Sequence, residues 1–197
     1  MPPIFMNRTQ YSIVQLAVGD VFLRKPPHLC ESDVNYDKVI QKLFGSFRRL
    51  ADTHSDVMFV ISQLHYDDYL IHSSQAAALN RLPRPGSMKE SKYRRGDFDF
   101  LILHRRAGII AIEVKTVGAS RMFWSMTEQH QDQSVHKRAE KALAQLQRCG
   151  DVLRHLVCDQ TVPPRIRKTV CFPCITPGQF QRLLRSDQQL RQVCMTE

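Results

Sequence analysis

The chain has 197 residues, 43% of them hydrophobic and 24% charged, a balance that fits one folded domain and excludes a disordered or low-complexity chain. No apolar run approaches the ~20 residues that span a bilayer, and the first 22 residues lack the basic start and apolar block of a signal peptide, so cytosol or nucleus is the expected compartment. The net charge of +9, from 28 basic and 19 acidic residues, favours a polyanionic partner, because phosphates gain from Lys and Arg through counterion release.

Residues 1–32 are mixed in character, broken by Pro26-Pro27, and read as an N-terminal extension to a domain over 33–197. Ser32 or Asp33 is placed to cap a helix starting near Val34, whose apolar face is Val39, Ile40, Leu43, Phe44, Phe47 and Leu50. The short apolar run Val57 to Ile61 predicts a strand. Residues 65–95 lack regular periodicity and hold Pro83, Pro85 and Gly86 among Arg81, Arg84, Lys89, Lys92, Arg94 and Arg95, which reads as a long basic loop. Asp97 to Leu103 and Ile109 to Val117 predict two strands of a hairpin turning at 104–108. Gln133 to Leu156 predicts a long helix that Gly150 ends or kinks, with Ala139, Ala142, Leu143, Leu146, Val152 and Leu153 facing inward. After Val162-Pro163-Pro164, Arg167 to Ile175 predicts a strand and Pro177 to Val193 a terminal helix. Helix, strand, loop, hairpin, helix, strand and helix together predict an α/β fold with a small mixed central sheet flanked by helices.

Six cysteines, without a secretion signal, read as reduced thiols. Cys171 and Cys174 form a lone CxxC pair, and with Cys158 and His155 the ligand types suit zinc; the apolar run around Cys171 favours a buried strand thiol instead.

Side chains alternate along strands, so Asp97, Asp99, Leu101 and Leu103 share one face and Phe98, Phe100 and Ile102 the other. On the following strand Ala111, Glu113 and Lys115 share a face, and the hairpin sets Asp99 near Glu113. Three carboxylates and a lysine thereby gather on one surface. Magnesium is usually held by one or two carboxylates, with water and phosphate completing its shell. A cation so placed polarises a phosphodiester, and an ammonium beside it stabilises the charge that develops. A solvated hairpin with surface ion pairs would carry the same residue types, but here apolar residues flank the charges on both sides, and burying charge in such a strand calls for a compensating ion or partner.

Gly96-Asp97-Phe98-Asp99, a short apolar strand, a turn, and Glu113-Val114-Lys115 resemble the PD-(D/E)XK nuclease pattern, and in particular the nuclease-related domain subgroup with its Gly-Glu-x-Asp and Glu-x-Lys motifs. The resemblance covers about residues 33–175, with some dozen specific positions. It implies a restriction-endonuclease-like core, Mg²⁺ or Mn²⁺ as cofactor and nucleic acid, DNA or RNA, as partner. Asp99 matches the motif aspartate, Glu113 the acidic metal ligand and Lys115 the motif lysine; Asp97 stands where the subgroup has Glu. The superfamily's leading helix often carries a further acidic ligand, for which Asp37 is the candidate and Glu31 the reserve. Gln133 and Lys137 open the helix where related domains place polar groups near substrate.

Basic residues cluster around this pattern: Arg94 and Arg95 before the motif strand, Arg105 and Arg106 in the turn, and Lys137, Arg138 and Lys141 on the next helix. Such residues position a phosphate backbone without reading sequence. His65, Tyr66 and Tyr69 are the aromatic candidates for base stacking outside the expected core. The leading expectation is a metal-dependent nuclease; the alternatives are a catalytically silent nucleic-acid-binding module on the same fold and a nuclease-like interaction domain of a longer protein.

Overall fold

A computed structural model describes residues 4–6, 12–15, 21–24, 31–65 and 96–195. Five strands form the main sheet: β1 (Ile4–Met6), β4 (Met58–His65), β5 (Asp97–His104), β6 (Gly108–Val114) and β7 (Ile166–Cys171), side by side in that order. The first pairing is parallel, the next two are antiparallel, and β6 pairs with β7 in parallel. β2 (Ser12–Gln15) and β3 (Val21–Arg24) make a separate two-stranded hairpin. The chain is thus a mixed α/β fold, and the first strand of the expected extension joins the edge of the main sheet.

Helices cover both faces. α1 (Glu31–His54) buries Val39, Ile40, Phe44 and Ala51 against Met58, Val60, Phe100, Ile102, Ile112 and Val114. Phe44 and Phe47 meet the Phe100 ring edge to face at 5.1 and 5.2 Å, geometry that suits the quadrupoles of stacked aromatics. The helix starts ahead of the expected Val34, and Leu50, expected inside, is exposed while Ala51 takes the inward position. On the opposite face, α3 (Glu128–Leu156) buries Val135, Ala139, Ala142, Leu146, Cys149, Val152 and Leu153. Its alanines bring the helix close to β6 and β7.

α3 begins five residues before the expected Gln133, capped by the Thr127 hydroxyl, and it runs unbroken through Gly150. The glycine serves packing: a Cβ there would stand 3.1 Å from Cδ of Lys168 on β7. Between β6 and α3 lies the four-residue helix α2 (Arg121–Trp124), which the periodicity did not predict. The expected terminal helix is two helices, α4 (Pro177–Ser186) and α5 (Gln188–Met195). Asp187 separates them: its backbone is extended, and its side chain accepts a hydrogen bond from Leu190 N at 2.8 Å, so it caps α5.

One irregularity positions the candidate site. Phe98 was expected beside Phe100 and Ile102, yet it packs on the α3 side while those two pack on the α1 side. On the neighbouring strand Leu64 likewise joins the α3 side, whereas Met58 and Val60 lie on the α1 side. Between Ser62 and Leu64, Gln63 has φ of +50°, and the register pairs Ser62 with Phe100 and Leu64 with Phe98 but leaves Gln63 and Asp99 out of the ladder. A left-handed residue in mid-strand reverses the alternation without shifting the register, and the rung it disturbs is the one that holds Asp99.

Candidate active site

The last paired rung of the central hairpin is Phe100 with Ile112. One rung further, where Asp99 would face Glu113, the ladder gives way to side-chain bonding. Asp99 Oδ2 accepts from Val114 N at 2.7 Å, which ties its carboxylate to the backbone between Glu113 and Lys115. Asp99 Oδ1 accepts a short hydrogen bond from the Tyr36 hydroxyl of α1. Lys115 Nζ donates to Glu113 Oε1 at 2.6 Å and to Gln145 Oε1 of α3 at 2.7 Å. Lys115 N also donates to Cys171 O at 2.9 Å, which extends the β6–β7 pairing one residue past the assigned strand.

These groups line a cleft of about 600 Å³ at the end of the sheet. α1 contributes Tyr36 to it, the strands contribute Asp97, Asp99, Glu113 and Lys115, and α3 contributes Ser134, Arg138 and Gln145. Asp99 is 8% and Glu113 2% exposed, so both carboxylates are inside the protein. Burial raises the Asp99 pKa, while the bonds from Tyr36 and Val114 hold it back and the Asp97 charge adds to the rise. Glu113 is pushed up to about 8, first by burial and then by the Asp99 charge, with Lys115 opposing. Burial and the neighbouring carboxylates also keep the Tyr36 phenol protonated as a donor.

The sequence-predicted Asp99, Glu113 and Lys115 are therefore brought together, with Asp97 half-buried on the same cleft. Asp37 is not among them. It is 4% exposed, burial raises its pKa, and its Oδ1 has no hydrogen-bond partner, but it does not line the cleft. Successive helical residues are rotated by about 100°, and it is Tyr36, one residue earlier, that α1 presents to Asp99. The side chain of Glu31, and Arg94, Arg95, Tyr66 and Tyr69, lie outside the described residues; His65 ends β4 with its side chain exposed.

Arg105 and Arg106 sit at the far end of the hairpin, about 17 Å from Asp99 by strand rise. There they line a separate shallow depression with His54 and Asp56, and Arg106 pairs with Asp56. On α3, Lys137 and Lys141 are exposed and do not line the cleft, whereas Arg138 does. Gln133 lines another groove, between α3 and α4. Tyr36 and Gln145 escaped the sequence reading because each meets its partner across a long chain separation, 63 and 30 residues.

Asp97, Asp99 and Glu113 outnumber Lys115 and Arg138 among the charges of the cleft. The carboxyls of Asp99 and Glu113, both with raised pKa values, are hard oxygen donors that could hold a divalent cation such as Mg²⁺ or Mn²⁺, which would favour their ionised forms, with Asp97 beside them. Among the described residues no group of three or more His, Cys, Asp or Glu forms a ready-made metal cage. A two-carboxylate magnesium site does not require one. The same finding covers Cys171 and Cys174, which are free thiols, Cys171 raised to about 11 mainly by burial. Among the described residues no helix is long and apolar enough to cross a membrane. No protein-family model, curated protein or solved structure matches the chain.

Proposed function

We propose that the chain is a metal-dependent nuclease that hydrolyses phosphodiester bonds of DNA or RNA, on a restriction-endonuclease-like core of the PD-(D/E)XK type. The observation that carries this reading is the burial of Asp99 and Glu113 beside Lys115 in one cleft. Three charged groups are expensive to remove from water unless they act together. Asp99 and Glu113 would hold Mg²⁺ or Mn²⁺, which supplies Lewis-acid polarisation of the phosphodiester and neutralises its charge. Lys115, steered by Glu113 and Gln145, presents a proton donor to the charge that builds on the phosphate. Tyr36 and Val114 N fix the Asp99 carboxylate from two sides. Arg138 offers a cation to the substrate backbone from the α3 wall.

Cleavage of single- and double-stranded DNA and RNA with Mg²⁺ or Mn²⁺ tests the proposal, beside Lys115→Ala. Lys115 acts on developing charge, so its loss should lower turnover at least a hundredfold, on the order of one lost oxyanion donor. Fold and nucleic-acid binding should persist, with a stability loss on the order of 2–3 kcal/mol, because the buried Glu113 carboxyl loses its donor. Full activity in Lys115→Ala rejects the catalytic assignment. The second reading, a silent nucleic-acid-binding module, draws support from the same hydrogen bonds, since Tyr36, Val114 and Lys115 already satisfy the carboxylates. It predicts binding that is independent of metal and no cleavage of any substrate.

A further inference from the structure

Much of the charge in the cleft is already engaged. Lys115 Nζ bonds Glu113 and Gln145, and Asp99 accepts from the Tyr36 hydroxyl and Val114 N. Two other lining side chains, Ser134 and Arg138, both from α3, stand outside this network. Among the described residues the Arg138 guanidinium pairs with no carboxylate, and the Ser134 hydroxyl has no hydrogen-bond partner. Other arginines differ: Arg182 is held by Glu128 and Asp132, Arg154 by Asp151 and Arg106 by Asp56. Arg138 has no such partner and borders the cleft instead.

The helix sets where this cation acts. Residues four apart lie one above the other on a helix, and long side chains lean toward its N-terminus, so Arg138 leans toward the turn that carries Ser134. Gln145, which meets Lys115, follows two turns later on the same face. At 1.5 Å per residue its Cα stands about 10 Å along the axis from that of Arg138. Both side chains lean the same way, so the guanidinium stays roughly that far from the Lys115 ammonium. One phosphate cannot bridge such a gap, and the two cations therefore address different phosphates. The facing wall offers no substitute, since Val117, Ala119, Met122 and Met126 carry no charge. The backbone under the two donors is fixed, because Ala139 and Ala142 on the opposite side of α3 are fully buried.

We propose that Ser134 and Arg138 form a second phosphate subsite beside the metal-held one, so that the cleft takes a strand with consecutive phosphates rather than an ester with a single phosphate. This rests on the nuclease reading of the carboxylate site. The guanidinium presents a fork of N–H donors that matches two phosphate oxygens, and the hydroxyl adds a donor one turn away. Neither group reads a base edge, so the subsite fixes the position of the strand and not its sequence. Arg138 is exposed, and its charge stays hydrated until substrate arrives, so holding it ready costs little.

Nucleotides without an internucleotide bond test the subsite, because they bind without being cleaved. Thymidine 3′,5′-bisphosphate and thymidine 5′-monophosphate are titrated into the intact protein by calorimetry, in Mg²⁺ and again in EDTA, at one salt concentration. Two subsites should give the bisphosphate an advantage of about tenfold or more in Mg²⁺, the worth of one charge-assisted contact. Ser134→Ala combined with Arg138→Ala should remove that advantage; the two positions are half-buried and exposed on a helix, where alanine is well tolerated. Arg138→Lys alone should keep only part of it, since the ammonium lacks the fork. Equal affinities in the wild type, or an advantage that survives the double change, overturns the subsite. An advantage that needs Mg²⁺ and is lost in the double variant upholds both readings. One that is the same in EDTA and is lost in the double variant upholds the subsite and rejects the metal site. Mg²⁺-dependent binding of both nucleotides with equal affinity does the reverse, and binding of neither rejects both.

Discussion

Glu113 ties the stability of the protein to pH in an unusual direction. Its carboxyl is pushed up from 4.5 to about 8 in the folded state. The native protein therefore holds a proton that the unfolded chain has released across that window. Stability follows the difference in bound protons, unfolded minus native, and that difference is negative here. The contribution is fully present below about 4.5 and is lost as pH rises through 8. Each pKa unit is worth about 1.4 kcal/mol, so the window from 4.5 to about 8 amounts to a ceiling on the order of 5 kcal/mol. Asp99 is shifted in the same direction and steepens the acidic side of the profile. Cys149 and Cys171, raised to about 12 and about 11 mainly by burial, titrate above the window. The assay is urea unfolding in EDTA from pH 5 to 8.5, repeated with Mn²⁺ and with Glu113→Gln. The wild type should weaken toward pH 8. Mn²⁺ should restore stability at pH 8 far more than at pH 5, because only the ionised site binds it. Glu113→Gln keeps an acceptor for Lys115 yet removes the titration, so its profile should be flatter and its stability at pH 8 higher. A wild-type profile that is flat or rises between pH 5 and 8, or a Glu113→Gln profile of the same slope, refutes the reasoning.

Two further outcomes follow from the geometry. Gln63→Gly should raise stability by up to about 1 kcal/mol, since glycine accepts φ of +50° without the penalty that a Cβ incurs; Gln63→Val, which favours the regular strand, should destabilise the protein and lower its metal affinity by calorimetry, and equal stability of the two variants would show that the kink has no bearing on Asp99. Arg138→Ala should weaken nucleic-acid binding and reduce the salt slope by about one phosphate contact, whereas the paired Arg105→Ala, Arg106→Ala change at the far end of the hairpin should leave the slope within error; the opposite ranking would move the substrate path away from the cleft.

The central hairpin was legible because both of its strands carry unbroken apolar runs, and a tight turn between two such runs leaves little choice of register. That register alone brings Asp99 to Glu113 and puts Lys115 two residues on. Other features needed information the local pattern does not hold. Phe98 changes sides because of Gln63, on a different strand. Asp37 is the acidic candidate on α1, with Glu31 in reserve, but the residue that α1 presents to Asp99 is Tyr36, because the helical phase is set by the docked position of α1. Gly150 read as a breaker because its reason for being glycine is Lys168, a residue of β7. The terminal helix divides at Asp187, whose capping bond to Leu190 N competes locally with continued helix.

The three-residue turn between His104 and Gly108 also orders events as the chain folds. Closing so short a loop has a small entropic penalty and takes microseconds or less, whereas Tyr36 and Gln145 must reach the site from 63 and 30 residues away. Loop-closure entropy therefore predicts that the hairpin zips from its turn outward and brings Asp99 and Glu113 together before either helix docks. At neutral pH the two carboxylates then repel in a half-built sheet, with Lys115 as the relief close at hand on the same strand. The ladder stops at Phe100 and Ile112, one rung short of that conflict. On that path the last rung is expected to be a point of local frustration, relieved when α1 brings the Tyr36 hydroxyl and α3 brings Gln145.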